Sequence, residues 1–270
     1  MGAGAELYPA AHRHFPFLVP IFLAAPLAGG VKGLGGVFTA FLIPRMKRSS
    51  APGSSCTTST FGFLAMPQPL SRVNPNTGIL IANAGMRPTP LQQRPALALL
   101  AIDSIASWTN VETFMLNLFV SMLGGPTDTA ARIYLALETQ SAKSAAISVA
   151  AMSLSDDKQR ILRAVLAVAK SKQKARDKLA HWAWGVAPAI EDGILLVNPR
   201  ALIHQEIDRE NVFVYKEQDF LNIIAQNERL CGFCQLLKFI LGDHIGNRDG
   251  MLYAQLSGEP EIRERLNRPA

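Results

Sequence analysis

The chain has 270 residues, of which 49% are hydrophobic and 18% are charged, a balance typical of globular proteins rather than disordered ones. Three cysteines in a chain of this length exclude a fold held together by disulfides and fit a reducing compartment. The net charge of +6 does not indicate a basic nucleic-acid groove on the domain, because residues 1–95 hold eight of the 27 basic side chains but one of the 21 acidic ones. Residues 96–270 therefore hold 19 basic and 20 acidic side chains, a net charge of −1.

Residues 1–95 are predicted to be an apolar, basic and poorly ordered or membrane-associated extension. Residues 15–44 are mostly apolar, but prolines interrupt them, and Lys32 arrives before the roughly 20 apolar residues that a membrane span needs. Three interpretations stay open: a signal-like or membrane-associated segment, a poor transmembrane helix, or residues upstream of the true start. Met66 then opens a lead rich in Pro, Asn and Gly, which predicts a disordered approach to the domain.

Residues 96–242 are predicted to form an all-α, up-and-down bundle of four to five helices. Apolar residues at three- and four-residue steps predict a first helix from Pro95 to the stop at Gly124. A second helix is predicted from Thr127 or its neighbour to about Leu154. Its expected apolar stripe comprises Ile133, Leu137, Ala142, Ala145, Val149 and Met152.

Ser155 and the two aspartates after it predict the start of a third helix, which Gly185 is expected to end. A fourth helix is predicted from Glu217 or Asp219 to Gly242. Between them, the short runs GILLVN and NVFVYK are rich in β-branched and aromatic residues and predict a small β-hairpin insertion. Residues 243–270 are predicted to be a polar C-terminal tail with one short helix near its end.

The stretch KQKARDKLAHWAWG closes the third predicted helix and places Arg176, Asp177 and His181 before two tryptophans. One interpretation is structural. Cations in the last turn of a helix are favoured by about 0.3–1 kcal/mol each at the negative end of the helix dipole. The ammonium of Lys178 can also lie over the indole of Trp182, four residues further on.

The other interpretation is catalytic. Asp177 and His181 lie four residues apart on one helix face, so the carboxylate can hold one imidazole nitrogen and leave the other for general acid or base chemistry. Arg176 lies about 140° around the helix from His181 and about 7.5 Å along it, too far for both to grip one small group. A composite site across a two-fold axis would bring the two side chains together.

This arrangement resembles the HEPN domain, a family of four- to five-helix bundles whose hallmark is R-x4-6-H with a polar residue directly after the arginine. Here RDKLAH supplies Arg176, Asp177 and His181 late in the third of four long helices, although Asp177 stands where asparagine is commonest. The first predicted helix, with Trp108 and Glu112 on an early turn, also fits the resemblance, which covers residues 96–242.

Many HEPN proteins are metal-independent endoribonucleases that act as dimers, often as toxins or defence effectors, whereas others have lost the motif and serve as binding modules. The resemblance implies that His181 moves the proton of the ribose 2′-hydroxyl or of the leaving oxygen, that Arg176 stabilises charge on the phosphate, and that Asp177 orients His181. The residues expected to contact RNA are Lys172, Lys174, Lys178 and Trp184.

Two hypotheses of different classes follow. The first is a cytoplasmic homodimer that cleaves RNA without a cofactor or metal ion, with an antitoxin or regulator protein as an expected partner. The second is a catalytically silent bundle that binds a partner protein or a nucleotide, anchored to a membrane if residues 15–44 contact one. Cys231 and Cys234 form a C-x-x-C pair with no second pair to complete a zinc site, so we expect them to pack as small hydrophobic residues.

Overall fold

The computed structural model of the chain describes residues 66–82, 85, 87–203, 207–242 and 250–268. These residues belong to the compact unit that spans Thr58–Ala270. Helices make up 68% of them, and a small antiparallel sheet is present, so the prediction of a mainly helical protein is confirmed. The membrane-contact segment predicted at 15–44 lies outside the described residues. Within the ranges that the structure does describe, no helix is long and apolar enough to cross a membrane.

The described residues form nine helices and five short strands. The helices are α1 (Leu70–Val73), α2 (Pro90–Gln93), α3 (Pro95–Leu123), α4 (Thr127–Leu135), α5 (Gln140–Ala150), α6 (Asp156–His181), α7 (Glu217–Leu241), α8 (Met251–Gly258) and α9 (Pro260–Leu266). The strands are β1 (Gln68–Pro69), β2 (Leu80–Ile81), β3 (Ala183–Val186), β4 (Gly193–Val197) and β5 (Val212–Lys216). Two short 3-10 turns, Pro199–Leu202 and Arg209–Asn211, lie between β4 and β5.

Helices α3 and α7 match the predicted first and fourth helices. Pro95 opens α3, a position where the missing N–H of proline costs nothing, and Gly124 ends it with a left-handed φ of 61°. Helix α7 runs from Glu217 to the cap at Gly242. The apolar stripes of both helices enter one helical core with α6, α8 and α9, where Leu118 and Leu237 are fully buried.

The second predicted helix is wrong as a single element. The chain forms α4 and α5 instead, because Thr139 caps a new helix by accepting a hydrogen bond from the N–H of Ala142 at 3.1 Å. None of the six residues of the expected apolar stripe is buried. Ala130, Tyr134 and Ile147 enter the core in their place, since the break rotates the two short helices relative to one continuous helix.

Helix α6 carries the predicted third helix, with Ser155 at its N-cap. The Ser155 hydroxyl accepts no hydrogen bond there, so the favourable charges at this end are the carboxylates of Asp156 and Asp157 in the first turn. Ile161 and Val165 lie in the helical core, whereas Leu179 packs in a second cluster against the sheet. A single helix therefore joins the helical core to the sheet.

The predicted hairpin is part of a larger sheet, with strand order β1-β5-β4-β3-β2 and antiparallel pairing throughout. Strand β4 is buried along its whole length because both faces of the sheet are covered. Ile194 and Leu196 face the cluster formed with α3, α6 and α7, and Leu195 and Val197 face a separate cluster that includes Leu70. This explains why GILLV is a continuous apolar run rather than an alternating one.

Parts of the chain outside residues 96–242 contribute to the fold. Residues 66–82, predicted as a disordered lead, supply β1 and β2, and Leu70 between these strands is fully buried. In the C-terminal tail, Leu256 of α8 and Ile262 of α9 are fully buried in the helical core. The lead and the tail thus belong to the fold more than predicted. Single apolar residues in these polar segments pack into a core that other elements form, and so hold short strands and helices in place.

Leu70→Ala tests whether the lead belongs to the folded domain. We expect a loss of about 2–5 kcal/mol in the free energy of unfolding, since the substitution leaves a cavity beneath the sheet. Val73→Ala in the same helix is the control, because Val73 is 39% exposed and its truncation should change stability by about 0.5 kcal/mol or less. Urea unfolding measures both, and equal effects of the two variants would contradict this packing.

Candidate functional site

Helix α6 ends at His181, four residues before the predicted stop at Gly185. The N–H of Trp182 still donates to the carbonyl of Lys178 at 2.9 Å, but Trp182 is extended, with φ −87° and ψ 155°. Ala183 then begins β3 and pairs with Val197 of β4. The tryptophan-rich end of the motif is therefore strand rather than helix, and His181 stands at the junction.

The His181 side chain is exposed and makes no hydrogen bond or ion pair with another residue that the structure describes. Its position as the last helical residue also places it beside the unsatisfied carbonyl groups of the helix end, where a positive charge is favoured. Within the described part of the chain, neither ring nitrogen is therefore taken up by another residue at this end of α6.

Arg176 and Asp177 form an ion pair with each other, with 3.3 Å between Nη1 and Oδ1. Their side chains are 33% and 43% exposed, so this contact lies at the surface of α6. Asp177 makes no hydrogen bond to His181 within the described part of the chain, and the pairing expected four residues apart is replaced by pairing with the neighbour. The Nε of Arg176 is buried without a partner there.

The Lys178 ammonium lies over two aromatic rings, 4.9 Å from the ring centre of Trp182 and 4.8 Å from that of Phe213. The predicted contact with Trp182 is thus confirmed. Burial, with a smaller contribution from the charge of Lys174, lowers the pKa of Lys178. The two rings are themselves 5.8 Å apart, so Lys178 helps to join the end of α6 to the sheet.

The other residues expected to contact RNA differ in their surroundings. Lys174 is exposed, whereas Lys172 pairs with Glu261 of α9 at 3.3 Å. Trp184 lies in β3 and packs, half-buried, against the cluster between the sheet and the helices. Lys172, Lys174 and Lys178 all line one cavity of about 440 Å³ between α6, α7 and β5.

The same cavity is lined by Asp219, which the sequence marked as a helix opener but not as a site residue. The carboxylate accepts a hydrogen bond from the N–H of Lys216 at 2.9 Å through Oδ2, while Oδ1 is buried and has no partner among the described atoms. Burial raises the pKa of this carboxyl, and the Lys216 N–H and charge oppose that rise. The sequence signal that could have identified Asp219 is an acidic residue in the first turn of a helix that directly follows an apolar strand.

The C-x-x-C pair lies on α7, with Cys234 fully buried and Cys231 half-buried. Burial raises the pKa of Cys231 to about 11 and that of Cys234 to about 12. Both thiols are thus protonated near neutral pH and are poor nucleophiles. They pack in and against the helical core, as expected for small hydrophobic residues.

No protein-family model, curated protein or solved structure matches the chain. In the ranges covered by the structure, no three His, Cys, Asp or Glu side chains converge on a point where they could hold a metal ion.

Asp219→Asn should change the pH dependence of stability. A carboxyl whose pKa is raised by folding binds its proton more tightly in the folded state, so it stabilises the fold at low pH and loses that effect as the pH rises. Asparagine does not titrate. We therefore expect the free energy of unfolding of wild type, minus that of the variant, to fall as the pH rises above the ordinary value of 3.8. Urea unfolding in a pH series measures it, and a difference that grows with pH would contradict the assignment.

Proposed function

We propose that the chain is a metal-independent endoribonuclease of the HEPN type, built as an up-and-down helical bundle and active as a homodimer. The observation that carries the proposal is the exposed imidazole of His181 at the end of α6, without a partner among the described residues and five residues beyond Arg176. A general base and a phosphate-stabilising cation are the two groups that cleavage by a ribose 2′-hydroxyl requires.

In this reaction His181 removes the proton of the 2′-hydroxyl, whose oxygen attacks the adjacent phosphorus. The bond from phosphorus to the 5′-oxygen breaks, and the imidazolium of His181, formed in the first step, donates its proton to that leaving oxygen and returns to neutral imidazole. The products are a 2′,3′-cyclic phosphate and a 5′-hydroxyl. Arg176 stabilises the charge that builds on the phosphate oxygens, a role that suits the planar guanidinium better than an ammonium.

A dimer supplies the geometry that one chain lacks. On a regular helix Arg176 and His181 point about 140° apart, so the arginine of one protomer would meet the histidine of its partner across a two-fold axis. With the ion pair to Asp177 in place, the Arg176 side chain is still about one-third exposed, so it is not enclosed by the protein.

The second candidate is a catalytically silent module that binds a nucleotide or a partner protein. The pairing of Asp177 with Arg176 favours it, because the carboxylate offsets the charge that the catalytic role needs. The lysine-lined cavity beside α7 offers such a module a binding site. We place the first candidate in the cytoplasm, with a toxin or defence role and an antitoxin partner, whereas the second is membrane-associated if residues 15–44 contact a membrane.

Substituting the two motif residues separates the candidates. We expect His181→Ala to lower the cleavage rate of a mixed RNA pool by about 10²- to 10⁴-fold, because proton transfer is lost. Arg176→Ala should lower it by about 10²- to 10³-fold, because the phosphate loses its stabilising cation. Cleavage is followed in EDTA, with end analysis for the 2′,3′-cyclic phosphate.

Melting curves of the same preparations provide the control, since each substitution should cost no more than about 1 kcal/mol at a helix end. Cleavage that requires an added metal ion would eliminate the mechanism. Wild-type protein that binds RNA without cutting it would favour the silent module.

Asp177→Asn tests what the carboxylate does. If Asp177 mainly neutralises Arg176, the variant should cleave RNA at least as fast as wild type, because the guanidinium is released toward the phosphate. If Asp177 orients His181, as the resemblance implies, the variant should lose rate. Initial rates under the EDTA conditions distinguish the two outcomes, and Asp128→Asn in the exposed ion pair with Arg132 is the matched control.

A further inference from the structure

The solvent-facing side of α6 carries a series of basic groups. On a regular helix Arg163, Lys170, Lys174 and His181 point in directions within about 20° of that of Arg163, because the 18 residues from Arg163 to His181 complete five turns. All four side chains are exposed. From Lys158 to Arg176 the helix holds no acidic residue, and Asp177, which lies between Lys174 and His181 about 40° from this basic stripe, is paired with Arg176.

At the distal end of the stripe, α6 and α9 enclose a groove lined by four arginines. The groove has a volume of about 550 Å³, and Arg160, Arg163, Arg265 and Arg268 surround it. Arginine is the side chain best suited to hold phosphate, because two of its N–H groups can donate in parallel to two phosphate oxygens.

The charge of this groove is largely uncompensated. Arg268 pairs with Glu264, and Arg160 donates to the carbonyl of Leu266 at 2.8 Å, which leaves its charge in place. Lys170, Lys174 and Arg265 form no ion pair or hydrogen bond with other residues that the structure describes. Asp156 and Asp157 lie beyond the groove in the first turn of α6, and Asp177 lies beyond Lys174 and is paired with Arg176.

A second, smaller groove adjoins the first on the side of α5. It has a volume of about 230 Å³ and shares Arg163 with the arginine-lined groove. Ser144 and Ser148 of α5 and Lys170 of α6 complete its polar lining. Hydroxyl groups beside basic side chains offer the sugar and phosphate oxygens of a nucleic acid further hydrogen bonds.

We propose that this surface binds the RNA strand that the α6 end cleaves, with the strand running along the basic stripe from His181 to the arginine-lined groove. The inference rests on the proposed function, because His181 fixes the near end of the strand. The stripe is about 27 Å long, since 18 residues of helix rise 1.5 Å each. At about 3.4 Å per phosphate in a stacked strand, it spans about eight nucleotides.

The surface suits a polyanion rather than a lipid bilayer. A helix that lies in a membrane surface needs an apolar face for the acyl chains, and the apolar face of α6 is buried in the protein core. The solvent-exposed stripe of α6 instead carries cationic side chains, and the residue between Arg163 and Lys170 on this face is the small Ala167. Spaced cations on a fixed helix can each release a counterion from a strand of phosphates.

The test uses full-length protein in the His181→Ala background, so that a labelled 12-nucleotide RNA stays intact during an anisotropy titration. Lys170→Gln/Lys174→Gln removes the middle of the stripe, and Arg163→Gln/Arg265→Gln removes charge from the groove. Arg132→Gln/Lys238→Gln is the matched control, because it removes two exposed cations that line neither groove. Melting curves check that each variant is folded.

We expect both stripe variants to bind more weakly than the control and to lower the slope of log affinity against log salt by about 1.4, that is, about 0.7 per lost phosphate contact. Affinity should rise with RNA length up to about eight nucleotides and then level off. Equal affinity of the stripe and control variants, preference for anionic vesicles over RNA, or no binding of RNA would each overturn the proposal.

The proposed function can fail separately. If the unsubstituted chain binds RNA through the stripe but cuts none in EDTA, the cleavage mechanism is wrong and the binding surface remains. If the unsubstituted chain cuts RNA, and the stripe substitutions made in a chain that keeps His181 cut as fast as the control substitutions in that chain, the cleavage mechanism stands and the binding surface is wrong.

Discussion

The change from helix to strand at Trp182 determines where the candidate site lies. The chain must leave the helical path there because Ala183 and the residues after it pair with β4, which is buried on both faces. The Trp182 ring packs against Phe213 of β5, and the Lys178 ammonium lies over both rings. The sheet thus fixes the last turn of α6 and leaves His181 at an exposed junction.

The distribution of charge matters more than its sum. Residues 96–270 carry a net charge of −1, so the net charge of the chain does not by itself indicate a basic nucleic-acid groove there. The structure separates the charges, with exposed cations such as Lys170 and Lys174 along α6 and several acids paired with cations of other elements, such as Asp192 with Lys216 and Glu259 with Arg229. A near-neutral domain can therefore present one strongly basic face.

The sequence predicted α3, α6 and α7 from helical periodicity, because each of these helices buries a continuous apolar stripe. It predicted β4 and β5 from their runs of β-branched and aromatic residues. It missed the break before α5, because a lone Thr139 cap is a weak signal inside an apparently continuous stripe. It could not find β1 and β2, since a two-residue strand has no periodicity and depends on partners more than 100 residues away. It placed the end of α6 too late because Trp182 and Trp184 also fit a helix.

The sequence predicted the helix that carries the candidate residues, but it did not predict which of them form a contact. Arg176, Asp177 and His181 lie in the last two turns of α6, with His181 at the end of the helix and Arg176 five residues before it, further than the single turn that was predicted. Asp177 contacts its neighbour in sequence instead of the histidine four residues on, because side-chain rotamers select among partners that spacing alone allows. The cavity with Asp219 was missed for a similar reason. Its lysines and its carboxylate come from elements that only tertiary packing brings together.

The central claim is that an arginine from one protomer and a histidine from its partner act on one phosphate. The most direct measurement mixes Arg176→Ala protein with His181→Ala protein in equal amounts, allows subunits to exchange, and follows RNA cleavage in EDTA. A mixed dimer keeps one intact composite site, and random exchange makes half of the dimers mixed, so the account predicts that roughly a quarter of wild-type activity returns. Activity no higher than that of the separate variants would contradict it.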